Sequence, residues 1–141
     1  MLVRLMYASR AVQGIDHDAL GAILKQSKAR NPQAGVTGVL CLSDGIFLQL
    51  LEGGRTPVSA LYNRIAADKR HRDVTLLNFE EVAERQFGGW AMGQVNLSRL
   101  NPALVLKYCE TTALDPYACS GKTVMSLFNE LLSTAAIVCQ N

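Results

Sequence analysis

Val36-Thr37-Gly38-Val39-Leu40-Cys41-Leu42, then Ser43-Asp44-Gly45, then Ile46-Phe47-Leu48-Gln49-Leu50-Leu51-Glu52 form the stretch that decides the fold. Two apolar runs flank an Asp-Gly pair, and that combination is a strong signal for a hairpin of two strands. Side chains alternate along an extended strand. Phe47, Gln49 and Leu51 therefore share one face, while Ile46, Leu48 and Leu50 share the other. Gln49 is the exception in a run that otherwise reads as a core strand. Its amide carries two donors and an acceptor, and burying it without partners costs about 1–3 kcal/mol. Two readings are open on the residues alone. It is a core glutamine bonded to backbone or a trapped water, or it is a functional amide facing a ligand.

Working outward from the hairpin, the periodicity changes between strand and helix in a definite order. Leu2 to Ser9 alternates as a first strand, and Asp16 to Asn31 follows as a helix. Asp16 suits its N-cap, Leu20, Ile23 and Leu24 supply its apolar side, Asn31 suits a C-terminal cap, and Pro32 is expected to end it. After the hairpin, Thr56-Pro57 opens a second helix with a stripe of Val58, Leu61 and Ile65, ending before Asp68. Two more strands are expected at Val74 to Val82 and at Met92 to Asn96, separated by a turn over Glu84 to Trp90. The order βαββαββ predicts an α+β sandwich of the ferredoxin-like kind, a mixed sheet of about five strands with both helices on one face. A C-terminal helical extension follows. Pro102 to Cys109 and Gly121 to Cys139 read as helices broken apart at Asp115-Pro116, the second with Val124, Phe128, Leu131, Ala135 and Val138 on one apolar face. Residues 1–97 are expected to form one domain and residues 98–141 an extension packed on its sheet, covering the face of Leu48 and Leu50 rather than folding independently.

Composition narrows the function classes. The chain has 141 residues, 49% hydrophobic and 18% charged, with a formal net charge of +2. That is ordinary globular composition with no basic stripe for nucleic acid. Cys41, Cys109, Cys119 and Cys139 lack metal-ligand spacing and only His17 and His71 could join them, so no metal site is expected and the cysteines read as free thiols of a reducing cytosol. The first residues lack the pattern of a signal peptide, and no run approaches the ~18 apolar residues of a membrane span. A cytoplasmic protein without membrane insertion is expected.

Five blocks then converge. Arg4-Leu5-Met6-Tyr7-Ala8-Ser9, Asn31 before Gly35-Val36-Thr37-Gly38-Val39-Leu40, Phe47-Leu48-Gln49-Leu50-Leu51-Glu52-Gly53, Asp68-Lys69-Arg70-His71 and Phe87-Gly88-Gly89-Trp90-Ala91-Met92 together resemble the BLUF domain, the blue-light sensor using FAD. The resemblance covers roughly residues 2–97 in unbroken order, and the tail resembles the extension of the short, stand-alone BLUF photoreceptors.

The resemblance implies non-covalently bound FAD held between the two helices, with Tyr7 and Gln49 as the photochemical pair and no catalytic residue, since no substrate is turned over. It implies that Asn31, Gln49, Asp68, Arg70 and His71 surround the flavin and its chain, with Ile23, Leu24 and Ile65 as walls. Arg64, with Lys28 and Arg30, would reach the phosphates, each with a solvated-charge reading beside it. Trp90 and Met92 would relay the state of Gln49, with core packing as a reading that can hold beside it, and Ser9 would either bond to one of them or be simply a satisfied hydroxyl. Homo-oligomers are implied, ring-like ones included, as is a separate downstream protein of the response-regulator kind. A ligand-free ferredoxin-like interaction module and a small flavoenzyme are the alternatives, the second disfavoured by the absence of a nucleophile and base pair.

Overall fold

The computed structural model describes residues 1–12, 17–43, 45–95 and 100–134, the side chains of residues 17–20 and of Ser43 excepted. Strand β1 (Leu2–Ala11) leads into α1 (His17–Ala34), the hairpin β2 (Thr37–Ser43) and β3 (Ile46–Gly54), α2 (Arg55–Ala67), β4 (His71–Val82) and β5 (Gly93–Val95). The tail adds α3 (Pro102–Tyr108), a 3-10 turn at Pro116–Ala118 and α4 (Gly121–Ser133). The five strands lie in the order β4-β1-β3-β2-β5, antiparallel except for the β2–β5 pair. This is the expected βαββαββ arrangement. Gly45 takes a positive φ of 75° in the hairpin turn, a conformation that suits glycine, while Asp44 lies outside the described residues.

Strand alternation splits the core in two. Val3, Leu5, Tyr7, Leu40, Phe47 and Leu51 pack with Val58 and with Ile23, Leu24, Leu61 and Ile65 of α1 and α2 on one face. Met6, Ala8, Val39, Cys41, Leu48 and Leu50 pack against Val124, Leu127, Phe128 and Leu131 of α4 on the other. The helical extension thus covers the Leu48 and Leu50 side of the sheet. Ala135, Val138 and Cys139 lie outside the described residues. No described helix is long and apolar enough to cross a membrane.

Three local expectations are corrected. Pro32 does not stop α1, which runs to Ala34. Pro32 gives up one helical N–H, and the closure is made beyond it: Val36 N–H donates to Asn31 O at 2.9 Å and Gly35 N–H to Pro32 O at 3.2 Å, with Gly35 left-handed at φ 69°. Gly35 is therefore the terminating residue, and the Asn31 side chain is released from the capping role. Thr56 does not cap α2 either; Gly54 is the N-cap without a side-chain bond, and Pro57 sits in the first turn, where backbone N–H groups have no helical partner. The last strand is short, Gly93–Val95, so Trp90 to Met92 belong to the preceding loop, and Asn96 and Asp16 lie outside the described residues.

A polar row crosses one end of the sheet on the α4 side. Thr37, Glu52, Arg4 and Glu80 are cross-strand neighbours on β2, β3, β1 and β4. The Glu52 carboxylate is fully buried, pairs with Arg4 at 2.8 Å, and accepts from the backbone N–H groups of Gln86 at 3.1 Å and Phe87 at 2.6 Å. Arg85 completes the clamp by donating to Thr37 Oγ1 at 3.0 Å and to Gly35 O at 2.6 Å. The loop after β4 is thereby held against the sheet, and this fixes where its last residues arrive.

Candidate functional site

Between α1, α2 and the sheet lies a cleft lined by Tyr7, Ile23, Gln26, Ser27, Arg30, Asn31, Leu40, Phe47, Gln49, Leu61, Arg64, Ile65, Asp68, Arg70 and His71. Its floor follows from register: Tyr7 and Leu40 each stand opposite Gln49 on the flanking strands, so the three form one row on the helix-covered face. Its walls follow from helical spacing. Ile23, Gln26, Ser27, Arg30 and Asn31 recur at steps of three and four, as do Leu61, Arg64 and Ile65, so each set is one stripe of its helix, and Asp68 follows as the C-cap of α2.

At the floor, the Tyr7 hydroxyl donates to Gln49 Oε1, and Gln49 Nε2 donates to Met92 Sδ at 3.4 Å. The amide is buried with both ends engaged, one by a strong donor and one by a weak acceptor. Burial pushes the Tyr7 hydroxyl far above the ordinary phenol range, helped by nearby Tyr62 and Asp68. Asn31 Nδ2 donates to Ala91 O at 3.0 Å, tying the end of α1 to the loop that delivers Met92.

At the mouth, Asp68 accepts from Arg70 through backbone N–H at 2.9 Å and through the guanidinium at 2.6 Å. That hydrogen bonding holds the Asp68 carboxyl below its usual range against the opposing effect of burial. His71 is bonded at both nitrogens, Nε2 to Ile65 O at 2.6 Å and Nδ1 to Ser9 Oγ at 2.8 Å. A carbonyl only accepts, so Nε2 carries the proton, and in the neutral ring Nδ1 accepts from the Ser9 hydroxyl.

Tyr7, Asn31, Gln49, Arg64, Asp68, Arg70, His71, Ile23 and Ile65 are brought together as expected from the sequence. Leu24 and Lys28 are not. They sit one step round α1 from the lining stripe, and Leu24 packs into the core instead. Ser9 bonds to His71 rather than to Trp90 or Met92. Met92 reaches Gln49, but Trp90 does not. Its ring lies 6.5 Å from that of Phe87 and packs on the α4 side, because the backbone before Gly93 is loop and strand alternation does not hold there. The sequence reading missed Gln26, Ser27, Leu40, Phe47 and Leu61 as lining residues, although extending the Ile23 and Ile65 stripes by one turn finds three of them.

The lining fits a flat apolar ring system with a polar edge and an anionic tail. Ile23, Leu40, Leu61 and Ile65 supply aliphatic surface, the amides of Asn31 and Gln49 supply donors and acceptors, and the lining carries three guanidinium groups, Arg30, Arg64 and Arg70, for one carboxylate, Asp68. FAD has that chemistry.

Residues 2–93 match the family model described as sensors of blue light using FAD. Among curated relatives, the photoactivated adenylate cyclase subunit beta of Euglena gracilis is 38% identical over 86 residues, which are 61% of this chain and 10% of the relative. The chain thus spans about a tenth of the length of the first curated relatives it matches. Among solved structures, BlsA in its photo-activated state superposes with a TM-score of 0.85 at 31% identity, covering 94% of this chain and 95% of that one. BlrB in its dark state gives 0.81 at 28% identity, with 94% and 96% covered. A bacterial light-regulated adenylyl cyclase gives 0.70 at 26% identity over 96% of this chain but only 36% of its own.

Proposed function

The chain belongs to the BLUF family of blue-light sensors using FAD, and on that premise we propose that Tyr7 and Gln49 register the light while Met92 and the sheet pass the signal to the helical cover. The observation that carries this reading is the buried Tyr7–Gln49–Met92 chain of hydrogen bonds on the cleft floor. Bound FAD supplies, on absorbing blue light, an oxidant able to draw an electron from a phenol. Tyr7 holds its proton firmly in the dark, since burial opposes the phenolate. With an electron withdrawn, that proton would become strongly acidic with Gln49 Oε1 already in contact to take it, and return of the electron and proton would restore the phenol, leaving only the hydrogen bonding changed. An amide engaged in this way can rotate or tautomerise, exchanging donor for acceptor. Among the described residues the partner of Nε2 is the soft Met92 sulfur, a weak acceptor that opposes the exchange less than an oxygen would.

Asn31 and the aliphatic walls hold the ring, Arg30, Arg64 and Arg70 hold the phosphates, and Asp68 orients Arg70. Met92 replaces Trp90 as the residue that senses the amide. The reading includes a protein that turns over no substrate: His71 is tied at both nitrogens, and the hydroxyl beside it, Ser9, is fully buried. It also includes residues 1–97 as the sensor, residues 98–141 as its output segment, a homo-oligomer in the cytoplasm and a separate downstream protein.

Absorption spectra before and after blue light test the assignment. Tyr7→Phe and Gln49→Leu are expected to retain FAD and lose the reversible red shift, while Asn31→Ala weakens FAD retention. A normal light-induced shift in Gln49→Leu would overturn the mechanism.

A further inference from the structure

Cys109 ends α3 as its C-cap, and Cys119 ends the 3-10 turn just before Ser120, the N-cap of α4. The two sulfurs are 3.9 Å apart, with the Cys119 thiol directed at Cys109. Both backbones are anchored, Cys109 N–H to Val105 O at 2.9 Å and Cys119 N–H to Pro116 O at 3.3 Å. Both side chains are half-buried, in contrast to Cys41, which is sealed in the core. The proposed photochemistry uses neither. We propose that Cys109 and Cys119 are a reversible redox pair, oxidised by a hydroperoxide to an intramolecular disulfide that staples the end of α3 to the start of α4.

The step balances as a two-electron oxidation. The two thiols give up two hydrogens as the S–S bond forms, the peroxide O–O bond breaks, and hydrogen peroxide leaves as two molecules of water. Burial and the neighbouring Cys119 push the Cys109 thiol up to about 11, so thiolate is scarce and the oxidation is slow, and it is the 3.9 Å approach of the second sulfur that directs the product to a disulfide. A covalent ring closed here encloses Tyr117, whose hydroxyl donates to Asp73 O of β4 at 2.8 Å and whose ring lies 4.3 Å from the Arg10 guanidinium of β1. Oxidation therefore restrains both the α3–α4 connection and its contact with the sheet edge. The redox state sets how freely the helical cover moves.

The test uses the full-length protein with FAD bound, reduced with dithiothreitol, desalted and exposed to hydrogen peroxide before remaining thiols are blocked with a maleimide. Intact mass and peptide mapping are expected to show loss of two hydrogens, a Cys109–Cys119 cross-link reversed by dithiothreitol, and Cys41 still reduced. Cys109→Ser and Cys119→Ser should each abolish the cross-link and leave the remaining partner as a sulfenic acid. Hydrogen exchange over residues 103–120 should slow in the oxidised wild type and not in either variant. Maleimide labelling of both cysteines that is equal with and without peroxide, oxidation to sulfinic acid without a cross-link, or a cross-link to another cysteine would overturn the proposal. None of these readouts depends on the photocycle, so failure here is distinct from failure of the proposed light mechanism.

Discussion

Glu52→Gln should be among the most destabilising isosteric changes in this chain. The carboxylate is 0% exposed, and its two oxygens serve four donors: Arg4 Nε at 2.9 Å, Arg4 Nη2 at 2.8 Å, Gln86 N at 3.1 Å and Phe87 N at 2.6 Å. An amide of the same shape can present only one oxygen. Whichever way it is turned, its NH2 group meets donors. The substitution also strands the Arg4 charge, whose side chain is 7% exposed, with only Glu80 left at 3.0 Å. Removing one partner of a buried pair costs about 3–5 kcal/mol, and a buried N–H without an acceptor costs about 1–3 kcal/mol. These overlap, and Glu80 retains part of the Arg4 interaction, so the expected loss is about 3–5 kcal/mol, a large part of the roughly 5–15 kcal/mol that stabilises a domain. For a chain of this size that lowers Tm by roughly 10–15 °C.

Urea unfolding followed by far-UV circular dichroism measures the effect through the midpoint at constant m. Glu80→Gln serves as the control. Glu80 is 44% exposed, so it should cost less than about 1 kcal/mol. Adding Arg4→Met to Glu52→Gln should recover part of the loss, because it removes the stranded charge. A Glu52→Gln loss below about 1 kcal/mol, or no recovery in the double variant, would refute the argument that a desolvated charge pair pins the loop.

Three further expectations rest on other contacts. Phe128→Ala removes a fully buried ring that meets Phe87 edge-to-face at 6.2 Å between centroids, and should cost about 3–5 kcal/mol in urea unfolding while FAD remains bound below the transition. Asp68 is held below its unfolded value by Arg70, so its contribution is present above the pKa of an unfolded aspartate and fades as pH falls through the folded value; thermal melts from pH 7 downward should lose stability less steeply in Asp68→Asn, and parallel curves would count against the clamp. Met92→Ala leaves Gln49 Nε2 without its protein acceptor, and should alter the lifetime of the light-induced spectral shift, whereas Trp90→Phe should alter it less if Met92 is the residue that senses the amide.

Much of the cleft was legible because its residues obey the two backbone periods. Gln49 announced itself by polarity inside an apolar strand, and Ile23 and Ile65 by helical spacing. The misses occurred where the backbone leaves those periods or where partners are distant in sequence. Trp90 and Met92 share a parity that strand reasoning would place on one face, yet they precede β5, and the loop sends them to opposite sides. Glu52 was visible as a charge ending an apolar run, but its partner Arg4 is 48 residues away, and only the β1–β3 register sets them opposite each other. Pro32 misled because the residue that closes the helix is Gly35, whose left-handed backbone lies three positions further on.

The same alternation explains how a small change in the cleft can be felt beyond it. On β3, Gln49 faces the cleft while Leu48 and Leu50, its immediate neighbours, face α4. A reversal of the Gln49 amide alters its bonds to Tyr7 and Met92, which stand on β1 beside β3 and on the approach to β5, two strands from β3 on its other side, so the change reaches both halves of the sheet. Packed interiors do not absorb such shifts locally, because side chains at crystal-like density move their neighbours. Leu48 and Leu50 must then shift against Leu127, Phe128 or Leu131, or hold β3 still. Helix α4 and the Cys109–Cys119 segment that leads into it are thus coupled mechanically to the proposed switch, through one strand whose two faces serve the two functions.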